Sequence, residues 1–187
     1  MVSRFLLLLV VALPAFAADI AGVKIEEKEK FGSGELTLNG AGLRKRAFFQ
    51  VYAIGLYLSE KKAVAADAIG AAGAKRVAIH MLRDVDADQF AGALADGIKD
   101  NHSEAEAKAL EPRVKQLAAI MAEMKEAKKG MRITLDSLPA GTQVTVEGRP
   151  VGVPIPGEDF YRALLRIWLG DKPVQDDLKK ALLGEKQ

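Results

Sequence analysis

From Phe48 to Leu58 the even positions are Phe48, Gln50, Tyr52, Ile54, Leu56 and Leu58, and the odd ones are Phe49, Val51, Ala53, Gly55 and Tyr57. Both faces of the extended chain are therefore largely apolar, the pattern of a strand covered on both sides. Arg76 to Leu82 places Val77, Ile79 and Met81 on one face and predicts a second strand, and Met131, Ile133 and Leu135 alternate in a third over residues 131–136. The turn-rich Ser137-Leu138-Pro139-Ala140-Gly141 leads into residues 142–147, a hairpin, and Gly148-Arg149-Pro150 turns again into 151–155. Two shorter extended segments, 20–26 and 34–39, precede these, and the long central strand is placed at 47–58.

Helical spacing takes over between the strand groups. Asp86 with Gln89 resembles a capping box, and Phe90, Ala93, Leu94, Gly97 and Ile98 come after it at helical intervals, which predicts an amphipathic helix over 87–99. Ser103 with Glu106 is a second capping signature. Pro112 is expected to break or kink the chain beyond it, where Val114, Leu117, Ala118, Met121 and Met124 define one face of a helix ending at Gly130. Residues 63–74, rich in alanine, read as a short helix and loop. Two final helices are expected at about 157–169 and 173–183, the first ended by Gly170 and the second opened by Pro173. Phe160, Leu164, Ile167 and Trp168 form a stripe on the first of them, by default a core face. Tyr161 sits on the neighbouring face with Leu165 and becomes a pocket residue if that face lines a cleft. Strands, helices, strands and helices in separate blocks imply an α+β domain with an antiparallel sheet.

The N-terminus changes the picture of where this domain works. A positive start in Met1 to Arg4, an apolar run of nine residues from Phe5 to Leu13, and Ala15-Phe16-Ala17 together read as a secretory signal peptide over residues 1–17. The apolar run is far shorter than the roughly 20 residues needed to span a bilayer. A periplasmic or secreted protein is expected, cleaved after Ala17 or Ala18, with no stable membrane anchor afterwards. There is no cysteine, so a lipid-modified cysteine and disulfides are both excluded, and the fold must hold by its core. Removal of 17 of the 187 residues leaves 170, enough for the single domain expected over 18–187. With Arg4 gone, 26 basic side chains face 25 acidic ones, which offers no cation excess for nucleic acid.

Candidate chemistry concentrates in LNGAGLRKRAFFQVYAIGLYL, residues 38–58. Gly40 and Gly42 supply a bend or a close backbone approach, and Arg44-Lys45-Arg46 suits a turn or rim. A straight strand would hold Arg44 and Tyr52 roughly 26 Å apart. If the chain folds back near residues 45–47, a guanidinium and a phenol face each other over an apolar wall, the arrangement that holds a carboxylate head and buries its tail. From spacing alone the default remains a rim arginine and a packed tyrosine. His80 and His102 are the only histidines and lie in no ligand-spaced cluster, so no metal site is expected. The glycines at 32, 34, 40 and 42 make no phosphate-binding signature, no nucleophile elbow surrounds any serine, and no cofactor is implied.

The run GAGLR followed by an apolar strand ending in YAIGLYL resembles the chalcone isomerase-like superfamily, in particular its bacterial secreted branch, and PGEDFYRALLRIWLGDKPVQDDLKKALLG is similar to that family's C-terminal helix pair. The resemblance implies a large antiparallel sheet with a layer of helices packed on one face. It implies that Arg44 stands where plant chalcone isomerases guide their substrate and where plastid fatty-acid-binding proteins grip a carboxylate. Tyr52 matches the fatty-acid binders, since the isomerases carry threonine there. His102 stands where the isomerases resemble this chain but carry a catalytic tyrosine, and Tyr161 where they carry a small hydroxyl residue. The implied function is a non-enzymatic binding protein for a fatty acid or similar amphiphilic carboxylate, with Arg44, Tyr52, Tyr161 and His102 as ligand-binding candidates. The alternative is an intramolecular lyase or isomerase in which Arg44 stabilises oxyanion charge.

Overall fold

The structure, a computed structural model, describes residues 16–185; the expected leader lies, up to residue 15, outside them. A hairpin of β1 (Phe16–Ile20) and β2 (Val23–Glu26) is followed by β3 (Lys28–Phe31), β4 (Gly34–Arg46) and β5 (Phe49–Leu58), the short helix α1 (Ala65–Gly70), β6 (Lys75–Met81) and the two-residue β7 (Val85–Asp86). Then come α2 (Ala87–Asp100), α3 (Glu104–Ala122), the short β8 (Glu126–Ala127), and the meander β9 (Arg132–Leu138), β10 (Gly141–Val146) and β11 (Arg149–Ile155). Helices α4 (Glu158–Leu169) and α5 (Asp176–Leu182) close the chain. The main sheet is antiparallel, seven strands in the order β11-β10-β9-β6-β5-β4-β3, so the α+β architecture expected from the sequence holds.

The two-sided apolarity of β5 has a direct cause. Tyr52, Ile54, Leu56 and Leu58 point into a core shared with α2, α3, α4 and α5, while Tyr57 points the other way into a smaller cluster with Ile25, Leu36, Leu38 and Ala78. Helix α4 is amphipathic: Phe160, Tyr161, Ala163, Leu164, Leu165, Ile167, Trp168 and Leu169 are all buried, while Glu158, Asp159, Arg162 and Arg166 form an exposed stripe. A wide apolar face with one polar stripe is the pattern of a helix packed on a core with its back to water.

On the far face the sheet curls until its edge folds over its middle. In a flat sheet β3 would stand roughly 19 Å from β9, four strand spacings away. Glu29 of β3 instead pairs with Arg76 of β6 at 2.8 Å and Arg132 of β9 at 2.6 Å, and Arg76 forks onto Asp136 through two bonds of 2.7 Å. Burial raises the Glu29 carboxyl's pKa, but the two guanidinium groups outweigh it and hold the group below the ordinary glutamate range. A depressed carboxylate stabilises the fold fully above its unfolded pKa of about 4.3 and loses that contribution as pH falls through the lower folded value. The melting temperature should therefore begin to fall below about pH 4.3, and the fall should be shallower in Glu29→Gln. Equal acid slopes in the two proteins would show that the network has no part in it.

Several element boundaries differ from the sequence expectations. Residues 20–26 are not one strand, because Ala21 and Gly22 take positive φ and turn β1 back onto β2. Strand β4 runs on to Arg46, through the segment expected to turn. Pro112 neither ends nor splits α3; it lies on the exposed face, where a carbonyl left without its N–H partner can bond water. Helix α5 starts at Asp176, and Pro173 lies in the loop before it. Both caps are present: Ser103 and Glu106 form the reciprocal capping box, whereas at Asp86 only half of one is made, the Asp86 carboxylate accepting from the Gln89 N–H.

Candidate functional site

Strands β4 and β5 form a hairpin whose turn is Ala47-Phe48, and its register sets Arg44 directly opposite Tyr52. Opposed residues of an antiparallel pair point to the same face, with Cα atoms only about 5 Å apart. The register shifts immediately after this pair, between Arg44 and Lys45, so Val51 is passed over and the outer end of the hairpin is offset. Arg44 and Tyr52 thus meet at one end of the sheet, on its helical side.

They line a cleft of about 850 Å3 bounded by this hairpin, by α2 and by the α4–α5 loop. Its apolar wall includes Val51, Phe90, Leu94, Ile167 and Val174, and its polar groups include Arg44, Arg46, Lys172, Asp96 and Asp100. Tyr52 is only 6 % exposed, its ring packs edge-on to Phe90 with centroids 6.4 Å apart, and its hydroxyl accepts from the Trp168 indole N–H at 3.0 Å. With a lone pair so occupied, the hydroxyl keeps its own hydrogen to donate. Burial pushes the phenol above its usual pKa, against the opposing pull of the Trp168 N–H and the Arg44 guanidinium, so the group is a neutral donor at physiological pH.

Arg44 is held from α5. Its guanidinium donates to the Lys45 carbonyl at 2.5 Å and to Gln175 Oε1 at 3.3 Å; the same Oε1 accepts from the Lys45 N–H at 2.8 Å, and Gln175 Nε2 donates to the Leu43 carbonyl at 3.0 Å. Gln175 stands at the N-cap of α5 yet makes no side-chain cap bond to its own helix. It is spent instead on clasping β4.

The other two candidates lie elsewhere. Tyr161 is 1 % exposed, its hydroxyl donates to the Leu135 carbonyl at 2.9 Å, and the buried Lys75 ammonium lies 5.9 Å from its ring centroid; it does not line the Arg44 cleft. The conditional reading of its helix face therefore resolves to the core, because the neighbouring Trp168, not Tyr161, is the α4 side chain that reaches Tyr52. His102 caps the end of α2, its Nδ1 2.7 Å from the Ile98 carbonyl, and lines a separate groove of about 710 Å3 between α2 and α3. Sequence reasoning missed Gln175 and assigned Trp168 to the core alone. Nothing in the sequence pointed to Gln175, which the helix expected to open at Pro173 would have placed inside its first turn rather than at its N-cap. Among the described residues no group of His, Asp and Glu side chains gathers where it could hold a metal ion.

The chain matches the model of the chalcone isomerase-like family over residues 17–184. It belongs to that family. Among solved structures it is similar to the crystal structure of a fatty-acid binding protein from Arabidopsis thaliana, with a TM-score of 0.66 and 16 % identity over 87 % of this chain and 92 % of that one. At that identity the likeness establishes a chalcone isomerase-like fold shared across nearly the whole of both chains. No curated protein sequence matches the chain. Within the chalcone isomerase-like frame, the cleft sits where the end of the sheet, α2 and the α4–α5 loop converge, and it is Gln175 that ties the last helix to the arginine.

Proposed function

We propose that this protein is a binding protein for a fatty acid or a similar amphiphilic carboxylate, exported by the leader read in residues 1–17 and working in the periplasm or outside the cell. The observation that carries the reading is the pairing of Arg44 with Tyr52 in a cleft that also offers an apolar wall. A fixed positive charge and a neutral hydroxyl donor supply complementary hydrogen bonds to one carboxylate. Phe90, Leu94, Ile167 and Val174 offer the tail a wall, and each methylene buried there contributes roughly 0.8 kcal/mol. The volume is in the range of small-molecule sites. The fold shared with a plant fatty-acid binding protein supports the same reading.

Chalcone isomerase-like chemistry would use Arg44 to stabilise developing oxyanion charge, but a proton-transfer step also asks for a base within reach of the substrate. Tyr52 is kept neutral by burial and His102 lines another groove, so a base would have to come from Asp96 or Asp100 of α2, whereas the paired donors Arg44 and Tyr52 suit holding a carboxylate as it stands.

Mass spectrometry of protein purified from its native compartment tests this. An intact mass beginning at Ala18 or Asp19 and a co-extracted fatty acid near one per chain are expected. Protein that carries no acyl ligand and gives no thermal shift with carboxylates of any chain length would overturn the binding reading, and turnover of a chalcone clearly above the spontaneous rate would replace it with the enzymatic one.

A further inference from the structure

The turn between β4 and β5 is built against the usual chemistry of hairpins. Two-residue turns favour Gly, Asn or Asp, which tolerate positive φ and like water. Here the positions are Ala47 and Phe48. Ala47 adopts φ 52°, a left-handed conformation unfavourable for a residue with a Cβ, and Phe48 is 99 % exposed, followed by Phe49 at 57 %. Single exposed apolar residues are ordinary; two adjacent phenyl rings at the outermost point of a hairpin are a local patch.

The surroundings are cationic. Lys45 and Arg46 precede the turn and are exposed, and the exposed Arg83 lays its guanidinium 4.5 Å from the Phe49 ring centroid. Lys128 and Lys129, also exposed, lie at the same end of the sheet, where the Lys129 N–H donates to Asp84. Against these five cations stand Asp84, bonded to that backbone N–H, Asp86, which caps α2 and lies opposite Glu126, and Glu147, which accepts from the Arg132 N–H; the three cations nearest the rings are Lys45, Arg46 and Arg83. A projecting aromatic pair ringed by lysine and arginine is complementary to an anionic lipid surface, the rings entering the acyl boundary and the cations meeting the headgroups.

We infer that the β4–β5 hairpin tip, Phe48 and Phe49 within the collar of Lys45, Arg46 and Arg83, docks the protein on an anionic bilayer surface. Among the described residues no helix is long and apolar enough to cross a membrane, and the contact inferred here is made by the two exposed rings and their cations. The same hairpin contributes Arg44, Arg46, Val51 and Tyr52 to the cleft. Docking at its tip brings the cleft beside the lipid from which an amphiphile would be taken or to which it would be delivered. That consequence rests on the binding function proposed above, whereas the docking does not.

Cosedimentation of delipidated protein with phosphatidylcholine vesicles, with and without about one third phosphatidylglycerol, tests the docking. Wild type should bind the anionic vesicles, bind phosphatidylcholine alone far less, and be released by raised salt. Phe48→Glu should lower the bound fraction about tenfold at unchanged melting temperature, since the side chain has no packing to lose, and Phe48→Trp should retain binding. No binding to anionic vesicles, or undiminished binding by Phe48→Glu, would overturn the inference. So would a wild-type dimer that Phe48→Glu dissociates in the absence of vesicle binding, which would assign the tip to a second copy of the chain. Vesicle binding that persists in a protein unable to hold any acyl ligand would refute the proposed function and leave the docking standing.

Discussion

Gly40→Ala should lift the end of α5 off the sheet. A Cβ at this position would lie 2.1 Å from the Ala181 carbonyl oxygen and 2.6 Å from that of Leu182. Both are backbone atoms, so no side-chain rotation relieves the clash. The neighbouring Asn39, passed over by a register shift in β4, fixes the approach: it donates to the Leu182 carbonyl at 2.7 Å and accepts from the Lys62 N–H at 2.6 Å. Helix and strand are thus bolted together at the one residue that has no side chain to separate them. Overpacking against backbone of this kind costs about 3 kcal/mol, which for a domain of this size lowers the melting temperature by about 6–12 °C. Because α5 begins beside Gln175, the loss should extend to the cleft, leaving Arg44 without its clasp and weakening ligand binding several-fold while overall secondary structure persists. A melting temperature within about a degree of wild type would show that β4 and α5 move apart without strain.

The same contact shows where sequence reasoning succeeds and where it stops. Gly40 was readable as a close backbone approach, but its partner, the far end of the chain, was not, since nothing local encodes a contact across more than 140 residues. Two-sided burial of β5 was legible because each face has its own core to fill. The caps at Asp86 and Ser103 were legible because they are local, closed within three residues. Strand β3 was not, because Lys-Glu-Lys-Phe carries only one apolar side chain and is placed by the pairing of Glu29 with Arg76 and Arg132, which exists only after the sheet has curled. Arg44 and Tyr52 could be singled out by residue type and resemblance, yet their meeting depended on a turn with no turn-forming residue in it. The hairpin forms there because the long apolar strands on either side pair in register, and the Ala47-Phe48 corner is carried along. Tyr161 and His102, also singled out by resemblance, are placed by packing in the core and at a helix end, which alignment of residue types does not reveal.

Substitutions in the clamp should separate head from tail. Removing a charge-assisted hydrogen bond costs about 1.5–3 kcal/mol, so Arg44→Ala should weaken fatty-acid binding roughly 10- to 100-fold by calorimetry. Arg44→Lys restores the charge but not the planar fork, and should recover only part of the loss. Tyr52→Phe removes a neutral donor and should cost less affinity, about three- to tenfold. It carries a separate penalty in stability, because the Trp168 N–H, buried with it, loses its acceptor, at about 1–3 kcal/mol. If the tail lies along the wall of Phe90, Leu94, Ile167 and Val174, each added methylene should improve affinity about fourfold until the cleft is filled. That slope should be the same in wild type and Arg44→Ala, since groups well apart contribute additively. Parallel lines displaced by the head-group loss are therefore the signature of the proposed geometry. Binding unchanged in Arg44→Ala would place the carboxylate elsewhere, and a slope that vanishes with the arginine would mean that the acyl chain is not held by the wall beside it.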